Sequence, residues 1–301
     1  MKHFLRLADL QPADTRRILD SALALRDREV PVQAAPLAGQ SVALLFQKPS
    51  LRTRVSYEVG LRELGAHPVV LGQSEVGLGE RESVADVARV LGGMVDAIAA
   101  RVFRHDDLVA LADTSGVPVI NMLSDRFHPS QAIADALTLM DEFGAGAEDL
   151  RGRHVVFVGD GNNVAVSLAT ACVHLGMRFT LACPPAYAAP AADLPDHADV
   201  RTVHDPAAAV ADADCIYCDT FVSMGQEQQK QQRLADFVEF RVDEALLARA
   251  PAGCIVLHCL PAYRGFEITD GVIDGPQSRV FPQAWNRLHA QKGMLVELLG
   301  R

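Results

Sequence analysis

The feature that most constrains this chain is a repeated alternation. Short apolar runs are each followed by polar turn residues and then by a stretch with helical spacing. Such runs occupy 41–46, 69–71, 97–100, 117–120, 154–158, 179–183, 215–218 and 254–258. Consecutive apolar residues over so short a length read as strands buried on both faces. Strand alternating with helix predicts parallel sheets with crossover helices, an α/β doubly wound architecture. A chain of 301 residues is expected to hold two domains. Gly144-Ala145-Gly146-Ala147 lies between two such series and marks a hinge or boundary. Helices are expected over 8–27, from Leu51, over 83–94 and 105–114, from His128 to 143, from Asn163 to 175, over 206–213 and 226–232, and over 287–301. The Pro- and Gly-bearing stretches 28–40, 72–82 and 184–198 read as loops.

Composition narrows the function. Hydrophobic residues make up 49% and charged residues 22%, enough apolar material for two cores. The net charge of −10 gives no reason to expect nucleic acid or an anionic membrane as partner. No apolar run reaches membrane-spanning length, and the opening Met1-Lys2-His3-Phe4-Leu5-Arg6 has no secretory pattern. A cytoplasmic location is expected. The six cysteines lie mostly in apolar runs and read as buried thiols of a reducing compartment. Cys215-x-x-Cys218 lies on a strand without a second ligand pair, so no metal is expected there.

Against this acidic background the segment Lys48-Pro49-Ser50-Leu51-Arg52-Thr53-Arg54 stands out. It ends the first strand, breaks at Pro49, and starts a helix with Ser50 as N-cap and Leu51, Val55 and Val59 at helical spacing. Unpaired N–H groups, two arginines and the hydroxyls of Ser50 and Thr53 then share one helix start. Arginines are disfavoured at the positive end of a helix dipole unless an anion sits there, so the segment reads as a phosphate site.

Other polar outliers take the same place in the pattern. Arg101, His128, Asn163, Asp219 and Cys259 all follow the carboxyl ends of predicted strands, the edge where open α/β sheets bind ligands. Both predicted domains contribute, and a ligand in the cleft between them is the simplest account. His128-Pro129-Ser130-Gln131 opens a helix, and can be read either as an ordinary start with Pro in its first turn or as converging donors. Gly159-Asp160-Gly161-Asn162-Asn163 hints at a dinucleotide site, but Val164 stands where the third glycine belongs and no acidic residue ends the next strand. The segment Asp219-Thr220-Phe221-Val222-Ser223-Met224-Gly225 reads as a binding loop or a simple cap.

Five of these motifs, Ser50-Leu51-Arg52-Thr53-Arg54, His128-Pro129-Ser130-Gln131, Gly159-Asp160-Gly161-Asn162-Asn163, Asp219 to Gly225, and His258-Cys259-Leu260-Pro261-Ala262, occur in one order. In that order they resemble the ornithine carbamoyltransferases of the aspartate/ornithine carbamoyltransferase superfamily, nearly end to end. The resemblance implies carbamoyl transfer from carbamoyl phosphate to ornithine, giving citrulline and phosphate, by a homotrimer or an assembly of trimers, with no metal or cofactor. It implies a carbamoyl-phosphate domain over 1–145, with the helix 287–301 packing back on it, and an ornithine domain over 146–286. By motif position, Ser50, Leu51, Arg52 and Thr53 hold the phosphate, and Arg101 reaches phosphate and carbonyl. His128 and Gln131 bind the carbamoyl group, Cys259 and Leu260 line the junction, and Arg287 contacts carbamoyl phosphate. Asn163, Asp219, Ser223 and Met224 hold ornithine. Arg101, His128 and Cys259 carry the catalytic roles.

Three departures qualify the resemblance. Leu51 stands where relatives usually carry Thr, Ser130 where they carry Cys or Thr, and Gly77 where many carry Gln or His that reaches a neighbouring subunit's phosphate. Gln73 or Glu75 is the nearest side chain to take over that last role. Three alternatives stay in view: carbamoylation of another amine such as an N-acylornithine or putrescine, a nucleotide-dependent oxidoreductase, and a non-catalytic anion-binding relative.

Overall fold

The computed structural model describes residues 1–26, 35–144, 146–222 and 227–300. They form two compact units, Met1–Ala134 with Asn286–Arg301, and Asp135–Trp285. In the first, α1 (Pro12–Arg26) precedes β1 (Ser41–Phe46), α2 (Leu51–Glu63), β2 (His67–Gly72), the short α3 (Gln73–Val76) and α4 (Val84–Gly92). There follow β3 (Ala97–Arg101), α5 (His105–Ser115), β4 (Val119–Leu123) and α6 (Pro129–Phe143), within which the chain passes to the second unit. The four strands are parallel in the order β2-β1-β3-β4.

The second unit continues with β5 (His154–Val158), α7 (Asn163–His174), β6 (Arg178–Ala182), β7 (Val200–Val203), α8 (Pro206–Ala209) and β8 (Cys215–Cys218). After these come α9 (Lys230–Asp236), α10 (Glu244–Leu247), β9 (Ile255–His258) and α11 (Asp270–Ile273). The last helix, α12 (Val280–Leu299), returns the chain to the first unit. Five parallel strands lie in the order β7-β6-β5-β8-β9. Both units therefore have the expected α/β class with all-parallel, doubly wound order.

Strand order decides where each sheet can bind. From β1 the chain first winds outward to β2, then crosses back to β3 and β4, so the winding reverses between β1 and β3. In the second sheet it winds from β5 to β6 and β7, then crosses back to β8 and β9, reversing between β5 and β8. At such switch points adjacent crossovers diverge and leave a crevice at the strands' carboxyl ends. Phe46 is in register with Arg101 at the first, and Val158 with Cys218 at the second.

Local chemistry sets the helix starts. Ser50 has extended backbone and its side chain accepts from Thr53 N, while Ser83 accepts from Asp86 N and Asn162 from both Val164 N and Ala165 N. One face of each sheet is buried in an apolar cluster, with Ala43, Leu45, Ile98, Ala100 and Val119 in the first unit and Val156, Val158, Ile216 and Val256 in the second, while the alternate positions such as Leu44, Ala99, Phe157 and Leu257 are buried as well.

Besides the short α3, which falls in the expected loop 72–82, three features depart from expectation. The stripe Leu51, Val55 and Val59 on α2 is exposed, at 73%, 52% and 39%. The buried face carries Thr53, Ser56, Tyr57, Gly60 and Leu61 instead. A Cβ on Gly60 would touch Leu288 and Lys292, so the missing side chain brings α12 close. Second, α12 starts at Val280 rather than Arg287. Its buried positions include Gln283, Asn286, Arg287, Gln291 and Lys292, so no apolar stripe announces its first turns. Third, β7 falls between the expected loop 184–198 and the expected helix 206–213, where no strand is expected. It is an edge strand paired only with β6, and such strands carry polar residues.

Candidate active site

The first switch point is lined with positive charge. Arg101 ends β3 and is buried, and Lys48 just past β1 is buried with its Nζ 4.6 Å from the Phe103 ring centroid. Burial, and then the Arg101 charge, pull the Lys48 ammonium below the usual lysine range. Gln47 braces the turn: its Nε2 donates to Leu78 O at 3.1 Å and its Oε1 accepts from Phe103 N at 2.6 Å. Lys48 opens the segment that reads as a phosphate site but is given no role there from sequence, and its burial beside Arg101 is what brings it to the site.

Behind this edge the residues expected to hold carbamoyl phosphate are tied together. Arg287 Nη2 donates to Thr53 Oγ1 at 2.8 Å and Nη1 to Gln131 Oε1 at 2.9 Å, and all three side chains are buried. Because Thr53 Oγ1 accepts from Arg287, its own proton remains for an anion. Ser130 Oγ donates to Asn121 O at 3.0 Å, so the Tyr57 hydroxyl is the donor in its 2.9 Å bond to Ser130. Ser130 thus pins the start of α6 to β4. His128 is buried, which holds its imidazole well below the usual histidine range, and the charges of Arg287 and then Arg101 depress it further. It is a neutral hydrogen-bonding group at physiological pH.

Other residues of the motif face elsewhere. Leu51 projects into solvent, leaving its backbone N–H as the group available at the helix start. Arg54, grouped with Arg52 in the sequence reading, pairs on the surface with Glu58 at 2.6 Å. Gly77 has φ +63°, and a Cβ there would lie 2.7 Å from Arg81 Cβ, so this turn excludes Gln or His without rearrangement. Of the two nearby side chains, Glu75 Oε2 already accepts from Gly72 N at 2.6 Å.

The second switch point is built around Asp219. Its Oδ2 accepts from Asn162 Nδ2 at 2.8 Å, and its Oδ1 accepts from Thr220 N at 2.8 Å and from the Cys259 thiol at 3.1 Å. Asn162 is also the N-cap of α7, whose first residue is Asn163. Burial lifts the Cys259 thiol well above the usual range, and the Asp219 charge adds to that, so the group stays protonated. Ser223 and Met224 lie outside the described residues.

The turn that carries Cys259 is held by a pair the motif reading did not single out. His258 Nδ1 accepts from Leu260 N at 2.9 Å, which puts its proton on Nε2, facing Glu267 Oε1 at 3.2 Å. The same carboxylate oxygen accepts from Tyr263 N at 2.5 Å. Leu260 takes φ +58°, costly for a side chain with a Cβ, and precedes a cis proline. Asp219, His258 and Cys259 bring ligand atoms within 4.8 Å of one another. Each of those atoms is already hydrogen-bonded, so the trio behaves as a polar network rather than an open ligand set. Glu267 could have been found only by its pairing, because it lies in an unpatterned loop.

These features meet a known family. Residues 2–141 match the family model described as aspartate/ornithine carbamoyltransferase, carbamoyl-P binding domain, and residues 151–298 match the Asp/Orn binding domain of the same family. The chain is 45% identical to an ornithine carbamoyltransferase of Haloquadratum walsbyi, over 99% of this chain and 97% of that one. Among solved structures, ornithine carbamoyltransferase from Thermus thermophilus superposes with a TM-score of 0.90 at 43% identity, covering 99% of each chain. A mutant of N-acetyl-L-ornithine transcarbamylase complexed with PALAO is also similar, with a TM-score of 0.87 at 32% identity over 99% of this chain and 100% of that one. No helix of the described residues is long and apolar enough to cross a membrane. The chain belongs to the aspartate/ornithine carbamoyltransferase family and is an enzyme of carbamoyl transfer.

Proposed function

We propose that the chain transfers the carbamoyl group of carbamoyl phosphate to the δ-amine of L-ornithine, giving L-citrulline and phosphate. The observation that carries this reading is the Asp219 carboxylate, oriented by Asn162, Thr220 and Cys259. A fixed carboxylate suits an α-ammonium group, and the 219–225 segment contains no cationic residue to meet the side-chain carboxylate of aspartate. Asn163, with Ser223 and Met224, is assigned to the α-carboxylate. Putrescine would leave these groups unpaired, and an N-acylated ornithine has no charge for Asp219.

The first unit supplies the other substrate's site: Ser50, Arg52, Thr53 and the backbone N–H of Leu51 for phosphate, with Arg101, His128, Gln131 and Arg287 on the phosphate and carbamoyl group. The neutral δ-amine attacks the carbonyl carbon, a C–N bond forms, and the C–O bond to phosphate breaks. Charge that builds on the carbonyl oxygen is met by the preorganised donors Arg101, His128 and Thr53. A protonated Cys259 orients the amine rather than deprotonating it, which leaves Asp219 or the departing phosphate to take the proton. Cys259 and Leu260 are assigned to the junction of the two substrates. A homotrimer goes with this reading, and the exposed Leu51, Val55 and Val59 stripe is apolar surface of the kind that a second copy covers.

The test is product formation with carbamoyl phosphate and each of L-ornithine, aspartate, putrescine and N-acetyl-L-ornithine at equal concentration. Ornithine should win by roughly a hundredfold or more, the scale of lost polar contacts at a built site. Faster carbamoylation of any other amine would refute ornithine as the substrate while leaving carbamoyl transfer in place.

A further inference from the structure

Outside the motifs, one buried cation touches both segments that present the amine-site residues. Arg233 on α9 is 4% exposed. Its Nε donates to Phe221 O at 2.5 Å, two residues past Asp219. Its Nη2 pairs with Asp160 Oδ2, two residues before Asn162. The guanidinium lies over the Tyr187 ring at 4.7 Å and the Phe237 ring at 5.7 Å, and Phe237 stacks on Phe221 with centroids 4.6 Å apart. Gly161 N donates to Tyr187 O at 2.9 Å, and a Cβ on Gly161 would come within 2.2 Å of Ala189 N. The 159–163 turn is therefore packed against the 187–189 segment and also held by Arg233 through Asp160.

We propose that Arg233 is a positioning residue for the amine substrate, its guanidinium clamping the 159–163 turn to the segment that follows Asp219. The Asn162–Asp219 hydrogen bond joins the same two segments, but both its partners sit at the ligand edge. Arg233 joins them through Asp160 and Phe221 O, neither of which is assigned to a substrate, so it can hold the spacing of Asn163 and Asp219 before substrate arrives. A planar fork suits this task, because two acceptors are met at a fixed angle while the faces of the group stack on aromatic rings. Burial pushes the Asp160 carboxyl up to about 6 while the Arg233 charge pulls the other way, so the pair depends on that cation. No side chain of Arg233 or Asp160 has to touch a reacting atom for this role.

The proposal rests on the ornithine reading, so wild-type citrulline formation is measured first. Its absence overturns that reading and this proposal together. With an active wild type, the full-length chain is compared with Arg233→Lys and with the double variant Arg233→Met, Asp160→Asn, which leaves no unpaired buried charge. Michaelis constants for ornithine and carbamoyl phosphate are determined separately, with thermal unfolding alongside. The double variant should raise the ornithine constant on the order of tenfold, as expected for a displaced binding group, with the carbamoyl phosphate constant held within about twofold. Arg233→Lys should fall between, since an ammonium reaches Asp160 without the fork to Phe221 O. An ornithine constant within about twofold of wild type in a folded double variant overturns the clamp alone. So does a parallel rise in both constants, or loss of the unfolding transition in both variants, since each makes Arg233 a residue of the core only.

Discussion

Neutral His128 makes acid stability a direct test of the first site. The ordinary histidine value is 6.5, and in the folded protein burial, Arg287 and Arg101 hold this imidazole well below it. A depressed folded value means that the unfolded chain binds a proton where the native state does not. His128 therefore contributes stability that is present above about pH 6.5 and lost as pH falls toward its folded value. Between about pH 7.5 and about pH 5.5 the loss through this residue is at most on the order of 1 kcal/mol, a bound set by the unfolded chain's ordinary histidine value. His128→Gln keeps a polar side chain and removes the titration. Urea unfolding at fixed protein concentration, repeated across that interval, should show the variant losing less stability than wild type, by up to on the order of 1 kcal/mol. Burial also lowers His105 and His154, but they titrate in both proteins and cancel from the difference. Coincident pH dependences would refute a neutral, buried His128 between two guanidinium groups.

Three other outcomes can be checked by turnover and labelling. Arg52→Ala should leave the fold intact and lower kcat/KM for carbamoyl phosphate by about 2–4 kcal/mol of transition-state stabilisation, and near-normal turnover would remove Arg52 from the phosphate site. Asp219→Asn should raise the ornithine Michaelis constant far more than that for carbamoyl phosphate, whereas equal effects would place Asp219 outside the amine site. All six cysteines are buried free thiols and Cys259 is held protonated. Iodoacetamide at about pH 8 should therefore leave Cys259 unmodified in the native protein, by peptide mass mapping, and modify it after denaturation. Rapid native labelling would mean that the thiol ionises readily.

Much of this was legible in the chain because it is written locally. A short apolar run reads as a strand, and strands alternating with helices read as parallel, so the fold class follows from neighbouring residues, while the strand order does not. Ser50, Ser83 and Asn162 cap helices within a few residues of themselves, and the ordered motifs point to carbamoyl transfer without reference to any contact. What tertiary structure alone decided are pairings between residues far apart in sequence. Arg287 joins Thr53 to Gln131, Arg233 joins Asp160 to Phe221, and Glu267 braces His258. The apolar stripe of α2 faces outward because Gly60 lets α12 in on the opposite side, and periodicity cannot tell which face a partner will cover. Sequence specifies which residues are polar; only the packed chain fixes which of them lose water, and it is that loss that makes Lys48, His128 and Cys259 depart from their ordinary chemistry.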